Sequence, residues 1–218
     1  MEIKISVPTT LSDITLEQYK RYEKIVVANE KAENSERFVN LKMLEIFCGI
    51  SYEQAAAMKL VDYQRIVEQI YHVLQETPKL VTRFRMGDSE FGFVPNLEEI
   101  TFGEYIDLDN YIHDMSQVEK AMAVLYRPIK QKFKDKYIID EYKGDLFHDA
   151  MLNMPMDAVV SSILFFYNLG IDLSNVMMNS LEGRQAAQQA ELQGLAKSGV
   201  GINHYMLSHK EIFDDLMR

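Results

Sequence analysis

The sequence predicts a mainly helical fold of the α+β class: a helical domain with a small antiparallel β-ribbon or sheet and a projecting C-terminal arm. The first observation is a repeated helix-start signal, the capping box, in which Ser or Thr is followed three residues later by Glu or Gln. Such boxes begin at Thr15, Ser51, Thr101, Ser116 and Ser208. The second observation is a pair of alternating segments around Gly87-Asp88-Ser89, which indicates a β-ribbon.

The third observation is a change of composition near the C-terminus, where residues 182–197 are polar, rich in Ala and Gln and poor in large apolar side chains. Such a segment holds helix only weakly by itself, which favours an arm or linker. We therefore predict three regions: an N-terminal helical region at 1–78, a β-ribbon plus helical core at 79–181, and a polar arm with a terminal amphipathic helix at 182–218.

The size and the charge of the chain limit which functions are expected. The chain has 218 residues, of which 47% are hydrophobic, and a formal net charge of -10. This acidic balance argues against a nonspecific duplex binder, because neutralising phosphates needs clustered Lys and Arg. Cys48 is the single cysteine, so no internal disulfide forms, and a reducing compartment is expected. The longest apolar run is too short to cross a bilayer, and the first ten residues lack the pattern of a secretory signal.

The N-terminal region reads as one short strand followed by helices. Residues 2–8 alternate as a strand, and Thr15 opens a helix through about Ala28. Ser35 caps the next helix, whose apolar stripe is Phe38, Leu41, Leu44 and Phe47. Ser51 opens a short helix that ends near Leu60, and Asp62 caps a longer one. The apolar stripe of this longer helix comprises Tyr63, Ile66, Val67, Ile70, Val73 and Leu74.

The ribbon consists of residues 80–86 and 90–95. Arg83 and Arg85 alternate with Phe84 and Met86, so one face is expected to be solvated. A two-stranded ribbon is marginal in water. We expect it to pack on a helix or to gain strands from residues 2–8 and 137–139.

The central segment predicts two helices whose apolar stripes face the core. Thr101 opens the first helix, with the stripe Phe102, Tyr105, Ile106 and Leu108. Ser116 opens the second, with the stripe Val118, Ala121, Met122 and Leu125. Arg127-Pro128 ends this helix, and a charged connection at 130–136 leads to the strand-like residues 137–139.

The remaining helices follow a turn at Gly144. Asp145 caps a short helix, and residues 158–169 form an almost wholly apolar helix that Gly170 ends. The terminal amphipathic segment carries its apolar side chains at Ile212, Phe213 and Leu216. Such a helix either docks into a groove on another subunit or folds back on its own domain, and both alternatives stay open.

The motifs of catalysis are absent from the sequence. There is no Gly-rich phosphate loop, and the five histidines lack metal-ligand spacing. His113-Asp114 and His148-Asp149 have the form that metal phosphohydrolases use, but capping or surface roles explain them as well. We therefore expect that the protein is not an enzyme and that it binds neither a cofactor nor a metal ion.

Three segments carry a resemblance to a known group of proteins. Residues 91–95 (FGFVP), 100–107 (ITFGEYID) and 123–129 (AVLYRPI) resemble late proteins of tailed bacteriophages. Residues 47–74 are similar to a helical unit of phage tail assembly chaperones and neighbouring morphogenesis proteins. The resemblance covers about residues 40–145. It implies a role in virion assembly, as a chaperone or as a permanent component of the particle.

The leading hypothesis is therefore a phage structural or assembly protein of the head or tail that acts through protein–protein contacts. The predicted partner-binding residues are Ile212, Phe213, Leu216, Phe84 and Phe91. The expected partners are other phage structural proteins, with a homo-oligomer left open and neither membrane nor nucleic acid expected. The expected location is the host cytoplasm during assembly, with the virion left open.

Two alternatives remain beside this hypothesis. One is a metal-dependent phosphohydrolase that uses the two His-Asp pairs. The other is a nucleic-acid-binding packaging accessory, for which Lys79, Arg83 and Arg85 are the candidate contacts.

Overall fold

The computed structural model of the protein describes residues 6–32, 35–134 and 136–182. Within these ranges the fold is mainly helical with one four-stranded antiparallel sheet, which confirms the α+β class. The helices are α1 (Leu16–Asn29), α2 (Ser35–Cys48), α3 (Tyr52–Ala57), α4 (Leu60–Leu74), α5 (Phe102–Tyr111), α6 (Val118–Leu125), α7 (His148–Met151) and α8 (Met156–Glu182). The strands are β1 (Arg83–Met86), β2 (Ser89–Phe93), β3 (Tyr126–Phe133) and β4 (Lys136–Ile139).

Helix α1 begins against the start of α8. The Thr15–Gln18 capping box forms as predicted, with the Thr15 hydroxyl accepting from the backbone N–H of Gln18. The N–H of Leu16 donates to the carbonyl of Met154 at 3.0 Å, and the N–H of Met156 donates to the carbonyl of Ile14 at 2.8 Å. These two bonds satisfy backbone groups at both helix starts and join the predicted N-terminal region to the C-terminal helix.

Helices α2 to α4 match the predicted order, with two corrections. The Ser51–Gln54 capping box forms, and Gly49 takes the left-handed conformation that ends α2. Phe38, which the sequence places in the buried stripe, is exposed, because α2 buries the neighbouring face that carries Val39 and Met43. The predicted cap at Asp62 is also wrong: α4 begins at Leu60, and Asp62 lies in its first turn.

The sheet has the order β1-β2-β3-β4. The predicted hairpin forms, with Met86 paired to Ser89 across Gly87-Asp88, and Gly87 has a φ of 58° that glycine adopts readily. Helix α6 ends at Leu125, just before Arg127-Pro128, as predicted. The expected charged connection at 130–136 is wrong, because residues 126–133 form β3 and Pro128 pairs with Phe91 inside the sheet. Strand β4 forms as predicted. Residues 6–8 form no strand, and residues 1–5 lie outside the described part of the chain.

One face of the sheet packs on α8 through aromatic rings. Phe84, Phe93 and Tyr126 form a cluster in which Tyr126 lies 5.1 Å from Phe84 and 5.3 Å from Phe93 between ring centroids. The hydroxyl of Tyr126 donates to the carbonyl of Val81 at 2.7 Å and accepts from Ser162 of α8 at 2.9 Å. Burial raises the pKa of Tyr126, which keeps this hydroxyl protonated and able to donate.

The last helices complete the core. Helix α6 buries its predicted stripe, but it begins at Val118 after Gln117, so the predicted box at Ser116 does not cap it. Glu119 instead pairs with Lys20 of α1. Helix α8 runs through Gly170 to Glu182, which corrects the predicted end, since glycine in a helix interior costs only about 1 kcal/mol.

Buried residues from both predicted regions, 1–78 and 79–181, belong to one hydrophobic cluster. The three-region division itself stays a prediction. The terminal amphipathic segment and residues 183–197 of the predicted arm lie outside the described residues.

Candidate functional site

Of the apolar stripe that the sequence predicts for α5, the structure buries Leu108 and leaves Phe102, Tyr105 and Ile106 exposed. The capping box of α5 forms, with the Thr101 hydroxyl accepting from the N–H of Glu104. Glu104 and Leu108 are the buried side chains of the helix, whereas Phe102 is exposed to solvent. A carboxylate therefore occupies the inward position of the first turn.

An ion pair holds this carboxylate. The guanidinium of Arg127 in β3 donates from Nη1 to Oε1 of Glu104 at 2.7 Å, and the two side chains are 9% and 6% exposed. The second carboxylate oxygen accepts from the backbone N–H of Thr101 at 2.7 Å. Both oxygens of the buried charge are thus hydrogen-bonded, which is the condition under which a buried pair persists.

The pair fixes how α5 sits on the sheet. Arg127 is paired with Gly92, one residue from the Phe93–Tyr126 pair, so it points away from the aromatic face. Helix α5 therefore lies over the other face of the sheet. Its outward side is apolar.

We define the α5 patch as Phe102, Tyr105 and Ile106, which are 78%, 51% and 40% exposed. These residues lie on one side of the helix, because positions three and four apart face the same way. Asp109 continues this side, and Glu98 and Glu99 precede the helix. Residues 91–119 contain seven carboxylates and neither Lys nor Arg. Glu104 and Glu119 pair with Arg127 and Lys20, and the other five leave this segment acidic.

A second exposed surface lies on the β3–β4 hairpin. We define the hairpin patch as Phe133, Ile138, Lys134 and Lys136, in which the two apolar side chains are 59% and 51% exposed. Gln131 pairs with Ile138 and Phe133 pairs with Lys136, so Phe133 and Ile138 lie diagonally on one face. Neighbouring cations are partly neutralised, since Lys132 pairs with Glu90 and Lys130 pairs with Asp140.

Tyr137 clamps this hairpin to the rest of the sheet. Its ring lies across Gly92, where an added Cβ would come within 2.4 Å of the ring. Its hydroxyl donates to the carbonyls of Phe93 at 2.7 Å and Thr82 at 3.1 Å. Gly92 therefore makes room for a side chain that holds β4 in place.

A cavity of about 640 Å³ lies beside the start of α5 and the β3–β4 hairpin. Thr101 and Glu104 line it together with Ile138 and Ile139, and Arg127 contributes the cation. The Nε of Arg127 is buried without a hydrogen-bond partner. Asn96, Glu99 and Glu141 also line the cavity, which therefore combines apolar residues with the Glu104–Arg127 pair and further polar side chains.

A second groove of about 580 Å³ lies between α2, α3 and the start of α4. Tyr52, Leu60 and Tyr63 line it, and the first two are exposed. Glu36, Arg37 and Asn40 also line this groove. The groove therefore combines exposed aromatic and aliphatic side chains with polar ones.

The predicted partner-binding residues have different placements. Phe84 and Phe91 are buried and stack on each other with ring centroids 5.6 Å apart, so they build the sheet that carries the exposed surfaces. Ile212, Phe213 and Leu216 lie outside the described residues. The assignment of these five residues to partner binding stays a prediction, and the sequence reasoning missed the outward face of α5.

The structure also gives the positions of residues that the two alternative functions would use. No group of three or more potential metal-ligating side chains occurs in the described part of the chain. His148 is buried, and His113 lies 4.0 Å from Asp109. Arg83 and Arg85 are exposed on the solvated face of β1, as the sequence predicts.

The thiol of Cys48 sits at the end of α2. It is half-buried, and burial raises its pKa to about 11. A thiol with this pKa is almost wholly protonated at neutral pH, and the thiolate is the nucleophilic form. This position therefore lacks the features of an activated nucleophile.

Comparison of the chain with protein-family models, curated proteins and solved structures found no match. Among the described residues, no helix has both the length and the apolar character needed to span a membrane.

Proposed function

We propose that this protein is a bacteriophage virion structural or assembly protein that acts through protein–protein contacts in head or tail morphogenesis. Its role is that of a tail assembly chaperone or of a permanent virion component. The sequence resemblance supports the phage origin. The outward apolar face of α5 supports the mode of action.

The α5 patch carries the proposal because its exposure is built into the fold. The Glu104–Arg127 pair and the capping box fix the helix with Phe102 outward. A fully buried Phe contributes about 1.5–3 kcal/mol relative to an exposed one, so a partner that covers this patch gains substantial free energy. Aromatic residues are enriched at the centres of protein interfaces.

The test is mass spectrometry of purified particles and of assembly intermediates from cells infected by the phage that encodes this chain. A permanent component is expected in mature particles at fixed copy number. A chaperone is expected in the intermediates and not in mature particles. Absence from both fractions, with the protein present in the lysate, overturns the proposal.

The exposed arginines of β1 favour a second candidate function, a nucleic-acid-binding packaging accessory. Arg83 and Arg85 project from one strand of the sheet, and Lys79 precedes them on an exposed segment. This function requires DNA affinity that falls steeply with salt concentration. Binding without such a slope, or no binding in low salt, contradicts it.

A further inference from the structure

We propose that the hairpin patch of one copy docks on the α5 patch of a second copy of this chain. The proposal rests on the proposed function, whose general protein–protein role it narrows to one partner. Three features of the described residues support it. The two patches have opposite charges, each patch has an apolar centre, and the two patches do not meet within one chain.

The charges of the two patches are complementary. The segment around α5, residues 96–110, has five carboxylates and no Lys or Arg, and Glu104 alone among them is held by Arg127. The hairpin, residues 126–139, has five basic residues and one acidic residue. Lys134 and Lys136 form no ion pair with any residue that the structure describes. Such complementarity steers association and disfavours contacts between like patches.

Each patch also has an apolar centre beside its charges. Phe102, Tyr105 and Ile106 are flanked by Asp109 on α5. Phe133 and Ile138 are flanked by Lys134 and Lys136 on the hairpin. An apolar core with a polar rim is the usual anatomy of a protein interface, and the aromatic side chains supply the anchors.

The two patches do not meet within one chain. Ile138 of the hairpin patch lines the cavity of about 640 Å³, whereas Phe102, Tyr105 and Ile106 of the α5 patch are not part of its lining. Phe102 and Phe133 each keep more than half of their surface exposed, at 78% and 59%. A second copy is therefore needed to bring the acidic and the basic patch together.

The test is sedimentation velocity of the full chain and of two variants, each with one broken patch. The α5 variant is Phe102→Ser with Tyr105→Ser, and the hairpin variant is Phe133→Ser with Lys136→Glu. Val26→Ser with Val27→Ser is the matched control, because both residues are exposed on α1. Circular dichroism and thermal unfolding of every variant show whether it keeps the fold.

The wild type is expected to self-associate, and raising NaCl to about 0.5 M is expected to weaken the association because it screens exposed charges. Each patch variant is expected to weaken it at least about tenfold, and the control is expected to leave it unchanged. An equimolar mixture of the two folded patch variants is expected to associate again, because one supplies an intact hairpin patch and the other an intact α5 patch.

Three results overturn the docking proposal. The wild type stays monomeric up to about 100 μM, a range in which contacts of this size are detectable. The mixture associates no more than each variant alone. The α5 variant loses association while the folded hairpin variant keeps it, which means that like patches pair. These three results concern self-association and do not bear on whether the protein occurs in particles or intermediates. Mass spectrometry of those fractions therefore detects failure of the proposed function separately.

Discussion

The Glu104–Arg127 pair gives the sharpest test of how α5 is held. Replacing Glu104→Gln keeps an oxygen that accepts from the N–H of Thr101, and Gln is a normal capping-box residue. It removes the negative charge opposite a guanidinium that is 9% exposed. The substitution therefore isolates the electrostatic part of the contact from the cap.

The expected cost follows from burial. Removing one partner of a buried ion pair costs about 3–5 kcal/mol, because the remaining charge stays desolvated without compensation. At about 2–4 °C per kcal/mol for a chain of this size, the melting temperature is expected to fall by about 6–20 °C. Thr101→Ala, which removes the hydroxyl that caps α5, is expected to cost only about 1 kcal/mol.

The assay is thermal and urea unfolding of four proteins: wild type, Glu104→Gln, Arg127→Met and the double variant. The double variant is expected to recover most of the loss, because a neutral, apolar replacement of a buried pair is often close to neutral. A Glu104→Gln protein no less stable than Thr101→Ala, or a double variant whose loss is the sum of the single losses, refutes the reasoning.

Three further outcomes follow from the structure. Gly92→Ala is expected to lower the free energy of unfolding by about 1–3 kcal/mol, because the added Cβ meets the Tyr137 ring. Gly103→Ala has open space around the added Cβ and is expected to stabilise α5 by about 0.5–1 kcal/mol. Equal effects of the two substitutions in urea unfolding would contradict this difference. Cys48, whose pKa burial raises from 9.0 to about 11, is expected to react with iodoacetamide at pH 8 about 100-fold more slowly in the native protein than in urea; equal rates, followed by mass spectrometry, would show an accessible thiol. Hydrogen bonds from the Thr9 backbone and its neighbours lower the pKa of Asp13 below 3.8. Its stabilisation is therefore present above 3.8 and is lost as pH falls through the lower folded-state pKa. The melting-temperature difference between wild type and Asp13→Asn should be full at neutral pH and shrink as pH falls below 3.8, and a difference independent of pH would contradict the assignment.

Local patterns predict most of the helices, but they do not predict which way α5 faces. The predicted stripe contains Phe102, Tyr105, Ile106 and Leu108, whereas Tyr111 and Ile112 lie beside Leu108 on another side. The structure buries Leu108 and Ile112 and turns Glu104 inward with them. The deciding partner, Arg127, is 23 residues away in another element, and no local spacing reveals such a contact.

Strand β3 is a second feature that local sequence patterns do not predict. Arg127-Pro128 favours a helix end, and it outweighs the period-two spacing of Lys130, Lys132 and Lys134 that is typical of a half-solvated strand. Pro128 is tolerated inside the sheet, where its carbonyl still accepts from the N–H of Asp140 at 2.8 Å. The hairpin patch follows from this strand, so the sequence reasoning missed both.

We propose that the outward apolar face of α5 makes a protein contact that assembly requires. For the proposed phage function, the measurement is the yield of complete particles when cells infected by a phage that lacks this gene are supplied with Phe102→Ser/Tyr105→Ser or with the control Val26→Ser/Val27→Ser. Both variants must be folded and equally abundant. The control is expected to restore particles and the α5 variant is not; equal yields would contradict the need for this contact.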